Sequence, residues 1–151
     1  VESAEEMLAK VMEFRSEMDI FIGVAAVADY RPAKVAEEKI KKDDEAINLK
    51  LIKNPDIISK VSELTENPFT VGFAAETNSV LINGRKKLHK KKLDLLFANN
   101  AIDTFNNDSI TVTAIDKNSE HQLGPANKSV VARKMIELIS AALEENVAQN
   151  P

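Results

Sequence analysis

The chain is 151 residues long, about one domain, and its 44% apolar and 29% charged composition is that of an ordinary globular protein able to bury a core. The absence of cysteine excludes disulfides, thiolate nucleophiles and thiolate metal sites, and suits a reducing compartment such as the cytoplasm. A net charge of -4 argues against a dedicated nucleic-acid binder, and the apolar runs are far too short for a membrane span.

No signal-peptide pattern opens the chain. It starts at Val1, close to a helix start, so an excerpt of something longer is expected. Ser3 and Glu6 have capping-box spacing, and Ala4, Met7, Leu8, Val11, Met12 and Met18 recur at helical intervals, which predicts an amphipathic helix over residues 3–18. A strand over 19–27 follows, in which Phe21, Ile22 and Val24 give way to Ala25, Ala26 and Ala28 and then to Asp29 and Tyr30. After a loop with Arg31 and Pro32, two alternating segments between Lys39 and Lys53 flank Asp43, Asp44 and Glu45, the pattern of a β-hairpin too polar for a central sheet position. Asn54 is a candidate N-cap with Pro55 at the first helical position, and Ile57, Ile58, Val61 and Leu64 would share one face of a short helix.

The segment "PFTVGFAAET" repeats the earlier ending: β-formers as far as Phe73, then Ala74 and Ala75, then Glu76 and Thr77. A basic helix over 78–92 leads to "LDLLFANN", where Leu95, Leu96 and Phe97 yield to Ala98, Asn99 and Asn100. Residues 110–123 read as a second, edge-type hairpin. A final helix over 127–145 carries Val131, Met135, Leu138 and Ala142 on a single stripe. Helices alternating with near-continuous apolar strands predict an α/β fold, a mostly parallel sheet with helices on both faces and a protruding hairpin.

Ligands of such sheets sit beyond the carboxyl ends of the strands, where small residues leave room and the next polar residue can make contacts. The plain alternative is that alanine lets a helix pack closely. Asp29 could accept a ribose hydroxyl or help hold a metal, or simply cap a turn; Glu76 and Asn99 are weaker versions of the same case. Arg85, Lys86, Lys87, Lys90, Lys91 and Lys92 crowd eight positions, and Lys87 and Lys91 share a helix face, suited to a polyphosphate. Spacing alone favours a solvated basic face. Lys39, Lys41 and Lys42 could close over a phosphate, although edge strands also carry lysine against aggregation, the explanation that alternation by itself favours. Neither G-x-G-x-x-G nor a P-loop is present, and His89 and His121 lie outside any triad or zinc pattern.

In this order, "AAVADYRP", "EKIKK", "KNPDI", "VGFAAET" and the spaced lysines before "LDLLFANN" resemble phosphopantothenoylcysteine synthetase, the second half of the bifunctional bacterial coenzyme A biosynthesis flavoprotein. The resemblance spans essentially the whole chain. It implies a Rossmann-like sheet and a ligase that joins 4'-phosphopantothenate to cysteine through an acyl-cytidylate formed from CTP, with Mg2+ neutralising the triphosphate. It places the nucleotide on Gly23, Val24, Ala25, Asp29, Lys39, Pro55, Asp56, Ile57, Ile58, Phe73, Lys87 and Lys91. Lys39 resembles the family residue that moves over the phosphates and is the candidate catalytic group; no metal ligand is assigned. The Lys39–Lys53 hairpin resembles the family's lid and dimerisation element, so a homodimer is expected. The family's upstream strand, phosphate loop and acyl-cytidylate asparagine are not in these 151 residues, and its flavin-binding decarboxylase half would be fused upstream, so FMN is not expected here. Residues 1–151 are therefore expected to form one nucleotide-binding synthetase domain that does not complete the reaction by itself. Two other readings remain at this point. One is a non-catalytic nucleotide-binding or regulatory module; the other is a nucleic-acid binder using the lysine helix, disfavoured by the acidic total and by aromatics at 5%.

Overall fold

A computed structural model describes residues 1–41, 46–104 and 107–149. Helix α1 (Ala4–Glu13) starts at the expected capping box: Ser3 Oγ accepts from the Glu6 amide while the Glu6 carboxylate accepts from the Ser3 amide. It ends before Met18. Strand β1 (Ile20–Gly23) lies parallel to β4 (Phe69–Glu76), which lies parallel to β5 (Leu95–Asn100); β6 (Ser109–Ile115) and β7 (Glu120–Asn127) then add an antiparallel hairpin, giving the order β1-β4-β5-β6-β7.

The first predicted hairpin takes a different form. Its paired strands are β2 (Tyr30–Pro32) and β3 (Leu51–Lys53), so Arg31 and Pro32, expected in a loop, form one of them. Lys39 and Lys41 lie on an arm between them that, among its described residues, has no regular structure. Lys42, Asp43, Asp44 and Glu45 lie outside the described residues. Of the alternating residues that are described, only Leu51–Lys53 lie in a paired strand, and their partner comes from upstream.

The core has two layers, as the 2-residue period of a strand requires. On one face Phe69, Val71, Leu95, Phe97, Val112 and Ala114 pack under α5 (Lys128–Gln149), whose Val131, Met135, Leu138 and Ala142 stripe meets them as expected. The opposite face carries Ala74, Leu96, Ala98 and Ile115, together with Leu88 of α3 (Val80–Lys90) and Ile58 of α2 (Ile57–Ser62). A fully buried Leu or Val contributes about 1.5–3 kcal/mol, so Val61, Val71, Leu96 and Ile115, all at 0% exposure, anchor both layers. A short helix α4 (Ala101–Thr104), not anticipated, follows β5.

Glycines set the depth at which the helices sit. A Cβ on Gly84 would come 2.7 Å from Ile115 Cδ1 and 3.4 Å from Ala98 Cβ, so α3 rests directly on β5 and β6. On the α2 side Ile58 Cδ1 lies 3.0 Å from a Cβ built at Gly23 and 3.3 Å from one at Gly72, two glycines paired across β1 and β4. That wedge fixes where α2 begins, and with it one wall of the cleft described below.

Candidate functional site

At the carboxyl ends of β1 and β4 lies a cleft of about 490 Å³, walled by the loop after β1, the start of α2 and the cationic face of α3. The loop exists because β1 stops at Gly23. Val24 to Asp29 turn on local bonds, Val24 N–H to Ile22 O and Val27 N–H to Ala25 O, with Ala25, Ala26 and Ala28 exposed toward the cleft. Asn54 straps the far end: its side-chain amide donates to Ala28 O and its backbone N–H to Asp29 O, both at 2.8 Å. Arg31 in turn donates to Asn54 Oδ1 and Lys53 O and pairs with Glu5 of α1.

Asn54 is thus a loop strap, and the N-cap of α2 is Asp56, whose carboxylate accepts from the Ser59 amide. The expected cap, Asn54, is displaced two residues along the chain because its side chain and amide are taken up by the Ala28 and Asp29 carbonyls. Asp56 also pairs with Lys91 at 3.0 Å. Burial raises the Asp56 pKa, but hydrogen bonds from Lys91 and Ser59 outweigh it and hold the carboxyl below its ordinary value. Lys87 Nζ meets Glu76 at 3.1 Å; a spacing of four puts Lys87 and Lys91 on one helix face, and the packing of α3 turns that face to the cleft. Ser62 Oγ donates to Lys91 O at 2.6 Å, which ties the end of α2 to that of α3.

Every candidate nucleotide residue except Lys39 therefore faces one cavity: Gly23, Val24, Ala25 and Asp29 on one wall, Pro55 to Ile58 on another, then Phe73, Lys87 and Lys91. Lys39 is exposed on the arm, away from this lining. Phe73 is 36% exposed and stacks obliquely on Phe97, its ring centroid 5.4 Å away. The three alanine endings separate. Ala74 and Ala98 are buried under α3 and serve helix packing, while those after β1 open the cleft. Asn99 lines a second, more open cleft of about 470 Å³ between the end of β5 and the β6–β7 hairpin. Met7 of α1 and Leu93 complete the walls of the first cleft; no short motif marks them, and they get there by tertiary packing alone.

Arg85 pairs with Glu120 of β7. His121 bonds the Ser119 hydroxyl, which donates to Asp116 in the turn between β6 and β7, and His89 is exposed. Among the described residues no group of three or more His, Asp or Glu is placed to hold a metal, and no helix is long and apolar enough to cross a membrane.

Fold and cleft together define a Rossmann-like α/β domain with a small-residue, ammonium-walled site at the ends of its parallel strands. Residues 1–143 match the DNA/pantothenate metabolism flavoprotein C-terminal domain, and the chain belongs to that family. It is 46% identical over 149 residues to the coenzyme A biosynthesis bifunctional protein CoaBC of Vibrio vulnificus (strain CMCP6), covering 95% of this chain, and 38% identical over 152 residues to that of Escherichia coli (strain K12), covering 96%. It spans 37% of the length of each of these relatives. The crystal structure of the C-terminal domain of a CoaBC superposes with a TM-score of 0.77 at 32% identity, covering 96% of this chain and 65% of that one. The fold is shared as well with the DNA/pantothenate metabolism flavoprotein of Streptococcus pneumoniae, with a TM-score of 0.77 at 24% identity, covering 93% of this chain and 71% of that one.

Proposed function

We propose that the chain is the phosphopantothenate–cysteine ligase portion of a coenzyme A biosynthetic protein, and that its cleft binds CTP. The observation that carries this reading is the convergence of Gly23–Ala25, Asp29, Pro55–Ile58, Phe73, Lys87 and Lys91 on one cavity beyond parallel strand ends. Family membership and the identity of the relatives support it.

In this reading Lys87 and Lys91 meet the triphosphate as point charges, Phe73 offers an apolar face, and the main chain at the start of α2 contacts the nucleotide. The 4'-phosphopantothenate carboxylate attacks the α-phosphorus. A P–O bond forms, the bond to the β-phosphate breaks, and pyrophosphate leaves. The cysteine amine then attacks the acyl carbon, forming the C–N bond and releasing CMP as the amine gives up its proton. Asp29 in the cleft wall would be a carboxylate available to a Mg2+ ion arriving with the nucleotide, which would neutralise triphosphate charge. Lys39 is assigned to the phosphates in a state where the arm closes, adding charge where negative charge develops. The arm also exposes Val35, Ile40, Ile47 and Leu49, a surface suited to a second copy of the chain, and we assign the homodimer contact to it. A cytoplasmic location fits the cysteine-free composition.

Calorimetry on the full-length protein carrying this chain, titrated with CTP, ATP and a short oligonucleotide, tests the reading. The expected result is clear preference for CTP. Equal affinity for the two nucleotides would leave a base-indifferent module, and tight, salt-sensitive oligonucleotide binding would replace the reading with nucleic-acid recognition.

A further inference from the structure

We propose that Glu76 is a positioning residue that holds the Lys87 ammonium at the cleft, so that the lysine meets an incoming phosphate already aimed. The inference rests on the nucleotide reading above and adds a residue to it. Glu76 closes β4, and its carboxylate is fixed at both oxygens: Oε1 accepts from Lys87 Nζ at 3.1 Å and Oε2 from Asn83 Nδ2 at 3.3 Å. Asn83 lies one helical turn before Lys87 on α3 and also donates to Asn78 O, which secures the loop between β4 and the helix. The Glu76 side chain is 20% exposed against 35% for Lys87. Lys87 lines the cleft and Glu76 does not.

The arrangement leaves the lysine able to do two things together. An ammonium carries three donors, so one bond to Glu76 leaves two for a phosphate. A lysine without such a tether loses more rotamer freedom on gripping an anion than one already held. Lys91 provides the contrast. Its partner Asp56 is itself part of the cleft lining, so that carboxylate faces the same anion and competes for the ammonium. The two lysines share a helix face, but one is supported from outside the cleft and the other is neutralised from within it.

The test measures KM for CTP, kcat and melting temperature in the full-length protein for Glu76→Gln, Lys87→Ala and the double variant. Glu76→Gln is expected to raise KM roughly three- to tenfold with kcat and melting temperature nearly unchanged, the signature of lost binding shared by ground and transition states. In the Lys87→Ala background the same change should have no further effect. If Lys87→Ala weakens CTP while Glu76→Gln leaves it unchanged or tightens it, the carboxylate is a counter-ion only; the inference falls and the nucleotide reading stands. Losses that multiply in the double variant show that Glu76 acts apart from Lys87 and likewise overturn it. An unchanged KM in Lys87→Ala removes the nucleotide reading at this residue and the inference with it. Should Glu76→Gln fail to fold, Asn83→Ala takes its place: a smaller rise in KM that vanishes without Lys87 supports the proposal, and no rise overturns it.

Discussion

Asp56 caps α2, pairs with Lys91 and lines the cleft, three roles in one carboxylate. Its pKa is lowered because hydrogen bonds from Lys91 and Ser59 prevail over the burial that raises it, so the folded state binds the proton less readily than the unfolded chain. The stability this confers is fully present above the unfolded value, near about 4, and is lost as the pH falls through the lower folded value. Asn caps a helix as well as Asp does, so Asp56→Asn isolates the ion pair, which is half-exposed and therefore screened, and should cost about 0.2–1 kcal/mol at neutral pH. Denaturant unfolding as a function of pH should show that deficit shrinking below about pH 4. A deficit constant down to pH 2 would mean that the charge contributes nothing. Asn54 followed by Pro55 carries the local signature of a helix start, and it pointed to Asn54 as the cap where the structure uses Asp56. The Ala28 and Asp29 carbonyls, 26 and 25 residues upstream of Asn54, engage Asn54 and leave the cap to Asp56.

For elements, the long helices, the core strands and the β6–β7 hairpin were legible, whereas α4 and the pairing of β2 with β3 were not. The stripe of α5 and the apolar runs of β4 and β5 are local properties of the chain, and each appears where periodicity puts it. The arm misled because alternation marks an extended chain without naming its partner; Leu51–Lys53 pairs with Tyr30–Pro32. Small residues were ambiguous for the same reason. Gly72 lies inside strand β4, yet it is the seat of α2 and of the segment that joins α3 to β5: an added methyl would stand 2.6 Å from Leu93 Cδ1, 3.1 Å from Leu96 Cδ1 and 3.3 Å from Ile58 Cδ1. Leu93 and Leu96 are 1% and 0% exposed and have little room to move. Overpacking typically costs about 1–3 kcal/mol and Gly→Ala recovers about 0.4–1 kcal/mol from the unfolded chain, so the first effect wins. Gly72→Ala should lower the melting temperature by roughly 2–8 °C in calorimetry. An unchanged or raised value would show that Ile58 and the leucines repack freely.

In the whole molecule the sheet holds the cleft and the arm stands apart from it. Val35 is 86% and Leu49 65% exposed on a segment with no regular structure among its described residues, and these side chains carry the dimer contact proposed above. Leu49→Lys combined with Val35→Lys should convert a dimer to a monomer in light scattering while leaving the far-ultraviolet spectrum of the sheet and helices unchanged. A wild-type chain that is monomeric at every concentration, or a double variant that still dimerises, would remove the arm as the interface.

The amino-acid order alone determined the α/β class, the number of main helices, the direction of the parallel strands and the residue types available for a phosphate, because periodicity, caps and charge spacing act within a few residues. Tertiary structure decided which alanines open a cavity and which seat a helix, which residue caps α2, and that Lys87 and Lys91 face one cleft with carboxylates on opposite sides of its boundary. Those outcomes depend on contacts between residues far apart in the chain, whose geometry is set only once Gly23, Gly72 and Gly84 let the helices settle onto the sheet.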